Sequence, residues 1–145
     1  VIRDIKKLTE LISKILKHFQ NNIKGKTIAM LGLSFKPGTD DVRDSTALMI
    51  AESLNKNGAL IKAYDPKAMK NAKIVLPNIR YSKSILDSCI DADAIIIATE
   101  WNEFRALDFN LLKNKMKDHI IFDLRNIYNK DELKNLQFVY YGIGK

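Results

Sequence analysis

The stretch Thr27-Ile-Ala-Met-Leu-Gly-Leu-Ser-Phe-Lys-Pro-Gly-Thr-Asp-Asp-Val-Arg-Asp-Ser45 constrains this chain more than any other. Ile28, Met30, Leu31 and Leu33 form a nearly continuous apolar run. A run apolar on both faces fits a parallel strand covered by helices on each side. Gly32 stands where that strand should end. Phe35, Lys36, Asp40, Asp41, Arg43 and Asp44 follow, and a helical pattern begins at Ser45. One loop therefore leaves the carboxyl end of a strand and enters a helix N-terminus. Ligands bind at that place in open α/β sheets, and helix N-termini attract phosphate.

The rest of the chain repeats the alternation. Residues 2–20 place Ile2, Ile5, Leu8, Ile12, Ile15, Leu16 and Phe19 at three- and four-residue steps. That spacing predicts an amphipathic helix, with Lys6, Lys7, Glu10, Lys14 and Lys17 on its other face. Ser45 is the expected N-cap of a second helix that buries Ala47, Leu48, Ile50, Ala51 and Leu54 and closes at Asn57-Gly58. Further strands are expected over 59–64, 94–98, 119–122 and 137–141, with a loop or short strand over 74–81. Helices are expected near 67–72, 84–90, 108–116 and 131–135. Strands alternating with helices predict an α/β fold. The expected architecture is a Rossmann-like, doubly wound, mostly parallel sheet with flanking helices, preceded by the N-terminal amphipathic helix.

A length of 145 residues fits one domain with a core that needs no staples. No apolar run approaches the roughly 18 residues of a membrane span, and the first residues are no signal peptide. A single cysteine, Cys89, fits a reducing, cytoplasmic compartment. The chain begins at Val1 inside a helical pattern, without an initiator Met, and is expected to be a fragment of something longer. Its net charge of +7 favours anionic ligands, including nucleic acid. The lysines are spread along the chain, however, with no run of five or more basic residues.

Parallel strands of a doubly wound sheet end on one edge. The loops starting at Ser34, Asp65, Thr99 and Asp123 should share that rim, bringing Phe35, Lys36, Arg43, Trp101, Arg105 and Arg125 together. Aromatics beside cations suit a base plus phosphates. Each residue also has a structural alternative. Phe35 can anchor its loop in the core, Lys36 can be a solvated turn lysine, and Arg43 can pair with Asp40, Asp41 or Asp44. Arg125 can pair with Asp123, and Trp101 can be core or interface. Asp65 stands where a dinucleotide fold has its acid, but Pro66 follows it and the chain has neither G-x-G-x-x-G nor Gly-Lys-Ser/Thr. Cys89 falls mid-helix without a nearby His and reads as a buried small hydrophobe. His18 and His119 lie far apart, no metal-ligand spacing exists, and no catalytic residue is assigned.

Leu31-Gly-Leu-Ser-Phe-Lys-Pro-Gly-Thr-Asp-Asp-Val-Arg-Asp-Ser45 resembles the signature of the C-terminal UDP-binding domain of the UDP-glucose/GDP-mannose dehydrogenase family. So do Ala63-Tyr-Asp-Pro66, Ala92-Asp-Ala94, Ala98-Thr-Glu-Trp-Asn-Glu-Phe104 and Phe122-Asp-Leu-Arg-Asn-Ile-Tyr128, in the family's order. The Thr-Glu-Trp-x-Glu-Phe block is more similar to the UDP-glucose branch than to the UDP-N-acetylmannosamine or GDP-mannose branches. The family oxidises a nucleotide sugar's 6-hydroxyl twice with NAD, through a thioester on a catalytic cysteine. The resemblance implies that this chain binds UDP-glucose and UDP-glucuronate but does not catalyse alone, because the glycine-rich NAD motif and the catalytic cysteine motif are both missing. It implies that Phe35, Lys36 and Arg125 contact the UDP-sugar, with Lys36 near the diphosphate. Arg43 matches the arginine that reaches NAD bound by an N-terminal domain of the same enzyme. Residues 1–23 match the end of a central linker and dimerisation helix of a homo-oligomer, and residues 24–145 match the UDP-sugar-binding domain. Leu124 departs from the family, which usually has glycine before the arginine. A basic nucleic-acid-binding module and a pure assembly domain are the alternatives of another class.

Overall fold

A computed structural model describes residues 5–142. The elements in chain order are α1 (Ile5–His18), β1 (Thr27–Leu31), α2 (Thr46–Lys56), β2 (Leu60–Tyr64), α3 (Met69–Val75), β3 (Arg80–Tyr81) and α4 (Ile85–Cys89). They continue as β4 (Ala94–Ile97), α5 (Asn102–Arg105), α6 (Phe109–Lys115), β5 (Ile120–Asp123), α7 (Lys130–Asn135) and β6 (Val139–Gly142). Among the described residues every strand pairing is parallel, so the sheet expected to be mostly parallel is wholly so. The strand order is β3-β2-β1-β4-β5-β6, the Rossmann order.

The apolar strands are buried on both faces because successive side chains point to opposite sides of the sheet. Ile28, Met30, Ile61, Ala63, Ile96 and Phe122 enter one core, covered by α1, α2 and α3. Ala29, Leu31, Ile95, Ile97 and Ile121 enter the other, covered by residues of α4 to α7. Cys89 is fully buried in this second core and closes α4 rather than sitting mid-helix. Burial pushes its thiol up to about 12, so it remains a protonated hydrophobe and no nucleophile.

Along α1, Leu8, Ile12, Ile15 and Leu16 pack on the first core, while Lys6, Lys7, Glu10 and Lys17 are exposed. Lys14 departs from the expected polar face. It is half-buried, and its Nζ donates to the Gly142 carbonyl at 3.0 Å. Ile2 and residues 2–4 of the expected helix lie outside the described residues. The helix stops where Gln20 and Asn21 take φ of 56° and 59°, a turn of hand that ends the helical repeat.

From β1 the chain moves outward through β2 and β3, then returns to the other side of β1 as β4. The connections diverge there and leave a crevice at the carboxyl ends of β1 and β4. Gly32 directly follows β1 and lies against Thr99, just past the end of β4. It has φ of 101°, its N–H donates to Tyr64 O at 2.8 Å, and a Cβ at this position would lie 2.6 Å from the Cβ and backbone N of Thr99. Only glycine allows the two strand ends to approach so closely.

Candidate functional site

At the crevice lies a cleft of about 440 Å³, lined by residues from four places in the chain. The β1 loop supplies Ser34, Phe35 and Lys36, the first turn of α2 supplies Thr46 and Ala47, the end of β4 supplies Ala98, and the β5 loop supplies Arg125. Phe35 is 46% exposed, too open for the core anchor that its hydrophobicity alone suggests. Lys36 is exposed and carries no ion pair among the described residues. The α2 N-terminus adds partial positive charge and amides without intrahelical acceptors. It is fixed by Ser45, whose hydroxyl oxygen accepts from Leu48 N at 3.4 Å and donates to Leu33 O at 2.7 Å. The cleft is therefore concave, positive and edged by one open aromatic ring.

Buried acids hold the loops in place. Asp65 is 0% exposed at the end of β2. Its Oδ2 accepts from Leu33 N at 2.7 Å and Ser34 N at 3.0 Å, and its Oδ1 from Lys67 N and Ala68 N at 2.9 Å each. This carboxylate is spent on backbone amides and does not match the ribose-binding acid of a dinucleotide site. With the glycine fingerprint also missing, the β1 turn does not fit NAD. Asp123 plays the same part after β5, accepting from Arg125 N at 3.1 Å, Tyr128 N at 3.0 Å and Tyr140 hydroxyl at 2.7 Å. Burial pushes the Tyr128 and Tyr140 phenols above their usual range, so both stay neutral donors.

Of the six residues expected on the rim, three share the cleft and three do not. Trp101 is only 9% exposed, and its indole N–H donates to Ser34 Oγ at 3.2 Å and Asp65 Oδ2 at 3.3 Å. Its ring is a wall of the second core rather than an open stacking platform. Arg43 is a two-pronged partner of Asp41, with Nε to Oδ1 at 3.0 Å and an Nη to Oδ2 at 2.9 Å, and its side chain is 87% exposed. Those hydrogen bonds hold the Asp41 carboxyl down to about 2. Arg43 borders a separate, shallower depression with Thr39, Asn71 and Ile74. Arg105 pairs with Glu100 at 3.4 Å. Arg125 pairs with the other oxygen of Glu100 at 3.1 Å, not with Asp123, whose oxygens are taken by backbone amides and a tyrosine.

The model of the UDP-glucose/GDP-mannose dehydrogenase family, UDP binding domain, matches residues 29–130, which include every lining residue of this cleft. The chain belongs to this family. It is 45% identical over 132 residues to a UDP-glucose 6-dehydrogenase of Rhizobium meliloti, covering 91% of this chain and 30% of that protein. It is 43% identical over 147 residues to a UDP-glucose 6-dehydrogenase of Rickettsia bellii, covering 99% of this chain and 34% of that protein. The solved structure of a UDP-glucose dehydrogenase from the archaeon Pyrobaculum islandicum matches it with a TM-score of 0.76 at 28% identity, over 95% of this chain and 30% of that one. The chain thus spans about a third of the length of the curated relatives it matches.

Within the UDP-binding domain, Leu124 replaces the family's usual glycine without backbone strain. It is not among the residues with positive φ; the left-handed position of this loop is Asn126, at φ 55°. Leu124 N donates to Ile97 O at 3.0 Å, extending the sheet by one bond, and its side chain packs on the first core. Sequence reasoning missed Glu100 as the partner of two arginines and the clamp formed by Asp65, whereas the helix N-terminus after the β1 loop was expected at the ligand site and its first turn does line the cleft. Half of that clamp was readable: an acid at a strand end followed by a turn accepts from amides two and three residues on. The other half, on Leu33 and Ser34, is non-local and has no sequence signal.

Proposed function

We propose that this cleft holds the diphosphate of a UDP-sugar, and that the chain is the substrate-binding part of a cytoplasmic, NAD-dependent UDP-glucose 6-dehydrogenase that makes UDP-glucuronate. The observation that carries the reading is the meeting of Arg125, the α2 N-terminus and Lys36, which has no ion pair among the described residues, around one cleft, in a chain matched by a UDP-binding-domain model. Lys36 and Arg125 would pair with phosphate oxygens, the α2 amides would donate to them, and Phe35 would cover the uridine or sugar side. Relatives named for UDP-glucose, at 43–45% identity, favour glucose over the N-acetylmannosamine and GDP-mannose alternatives.

The chemical contribution is positioning. The bound diphosphate would fix the sugar so that its C6 faces groups supplied by another domain, and such placement lowers the barrier without a reacting side chain here. NAD, which accepts the hydride when bound, belongs on that other domain. Arg43, exposed and braced by Asp41 away from the cleft, suits a reach toward it. Residues 1–23 would be the end of a linker helix that also serves dimerisation in a homo-oligomer.

The test is calorimetric titration of UDP into the chain and its variants. UDP is expected to bind with micromolar to sub-millimolar affinity, and Lys36→Ala or Arg125→Ala to weaken it about ten-fold each, the effect of one charged hydrogen bond. Equal affinity in wild type and both variants would remove the cleft from consideration. Salt-sensitive binding of DNA or RNA oligonucleotides without UDP binding would favour the basic-module alternative.

A further inference from the structure

Three consecutive residues after β4 brace the two loops that form the cleft. Thr99 and Trp101 turn toward the β1 loop: Thr99 Oγ1 donates to Ser34 O at 3.2 Å, and the Trp101 indole N–H donates to Ser34 Oγ. Glu100, between them, turns the other way. Its Oε1 accepts from an Arg125 Nη at 3.1 Å and its Oε2 from an Arg105 Nη at 3.4 Å. Arg125 lines the cleft, whereas Glu100 and Arg105 do not. We propose that Glu100 is a positioning residue that holds the Arg125 guanidinium at the cleft in readiness for the diphosphate. This inference rests on the reading of the cleft given above.

A carboxylate close to an anion site normally opposes binding. Here Arg105 sits on its second oxygen, so the group of three keeps one net positive charge. Arginine has five N–H donors, and the contact to Glu100 uses one nitrogen, which leaves the others for phosphate. A free arginine side chain samples many rotamers, and binding would have to freeze them. Holding it beforehand removes that cost from the binding step. The backbone of the same residue is already fixed by Asp123. Glu100 completes the restraint at the far end of the side chain.

UDP is titrated into the chain and into Glu100→Gln, Glu100→Ala, Arg125→Ala and Glu100→Ala/Arg125→Ala variants, at protein concentrations that allow millimolar affinities to be read. Glu100→Ala is expected to bind about five-fold more weakly, the upper range for a partly exposed pair. Glu100→Gln, which keeps the shape and one acceptor, should fall between it and wild type. The double variant should bind no more weakly than Arg125→Ala alone, because Glu100 acts only through that arginine. A merely structural role would lower affinity equally in both backgrounds. Wild-type affinity or tighter binding in Glu100→Ala overturns the positioning role, and so does a loss that persists in the Arg125→Ala background. UDP binding that Arg125→Ala leaves untouched overturns the diphosphate reading itself, and the positioning role with it.

Discussion

Gly32→Ala is expected to lower the unfolding free energy by about 3 kcal/mol, measured by urea denaturation at neutral pH. Two costs add. An L-residue at φ of 101° is strained by about 1 kcal/mol or more. The new methyl would also sit 2.6 Å from the Cβ and backbone N of Thr99, where no contact is tolerated. Thr99 cannot retreat easily. Its hydroxyl is tied to Ser34 O, and the preceding residue is laddered to β1 through Ala98 N to Leu31 O at 2.9 Å. Gly38 supplies the control. Its φ is 83°, but a Cβ there would meet nothing within 4 Å, so Gly38→Ala should cost only about 1 kcal/mol. Equal losses at the two glycines would contradict the close approach of β1 and β4.

Asp65→Ala is expected to cost about 4 kcal/mol by the same measurement, or to prevent folding at 37 °C. The substitution strips acceptors from four backbone amides and loosens the Trp101 indole; all of these hydrogen bonds are buried except that from Lys67 N, which is part-buried. Buried donors left without partners carry the full desolvation penalty. Asp65→Asn keeps one oxygen and should lose about half as much. Because Asp65 tethers Leu33 and Ser34, the segment that carries Phe35 and Lys36 is also freed. A loss below about 1 kcal/mol for Asp65→Ala would show that those amides find other acceptors.

The parts of the fold that could be read in advance are those encoded locally. The apolar run at Ile28–Leu33, Ser45 at a helix start and Gly58 at a helix end each carry a short-range reason. Gly58 has φ of 99° and packs against Lys24, as a helix-closing glycine should. Parallel pairing and the shared rim follow from the alternation of elements, which is why Lys36 and Arg125, far apart in sequence, were expected on one ledge. What could not be read depends on choices between partners. Arg43 had three acids nearby and took Asp41. Arg125 had Asp123 two residues away, yet that acid was drawn to backbone amides and Tyr140 and left the guanidinium to Glu100. Trp101 looked like a stacking platform, but its N–H found buried acceptors and its ring found the second core. Around Arg125 and Trp101 a buried polar group claimed its partner first, because leaving it unsatisfied costs more than losing an exposed contact; the Arg43–Asp41 pair, by contrast, is exposed.

The most direct measurement is amide chemical-shift mapping by NMR as UDP is added. The expected result is that the largest shifts fall on Ser34, Phe35, Lys36, Thr46, Ala47, Ala98 and Arg125, the lining of the cleft between β1 and β4. Shifts confined to Thr39–Arg43, Asn71 and Ile74, around the separate depression beside Arg43, would contradict it.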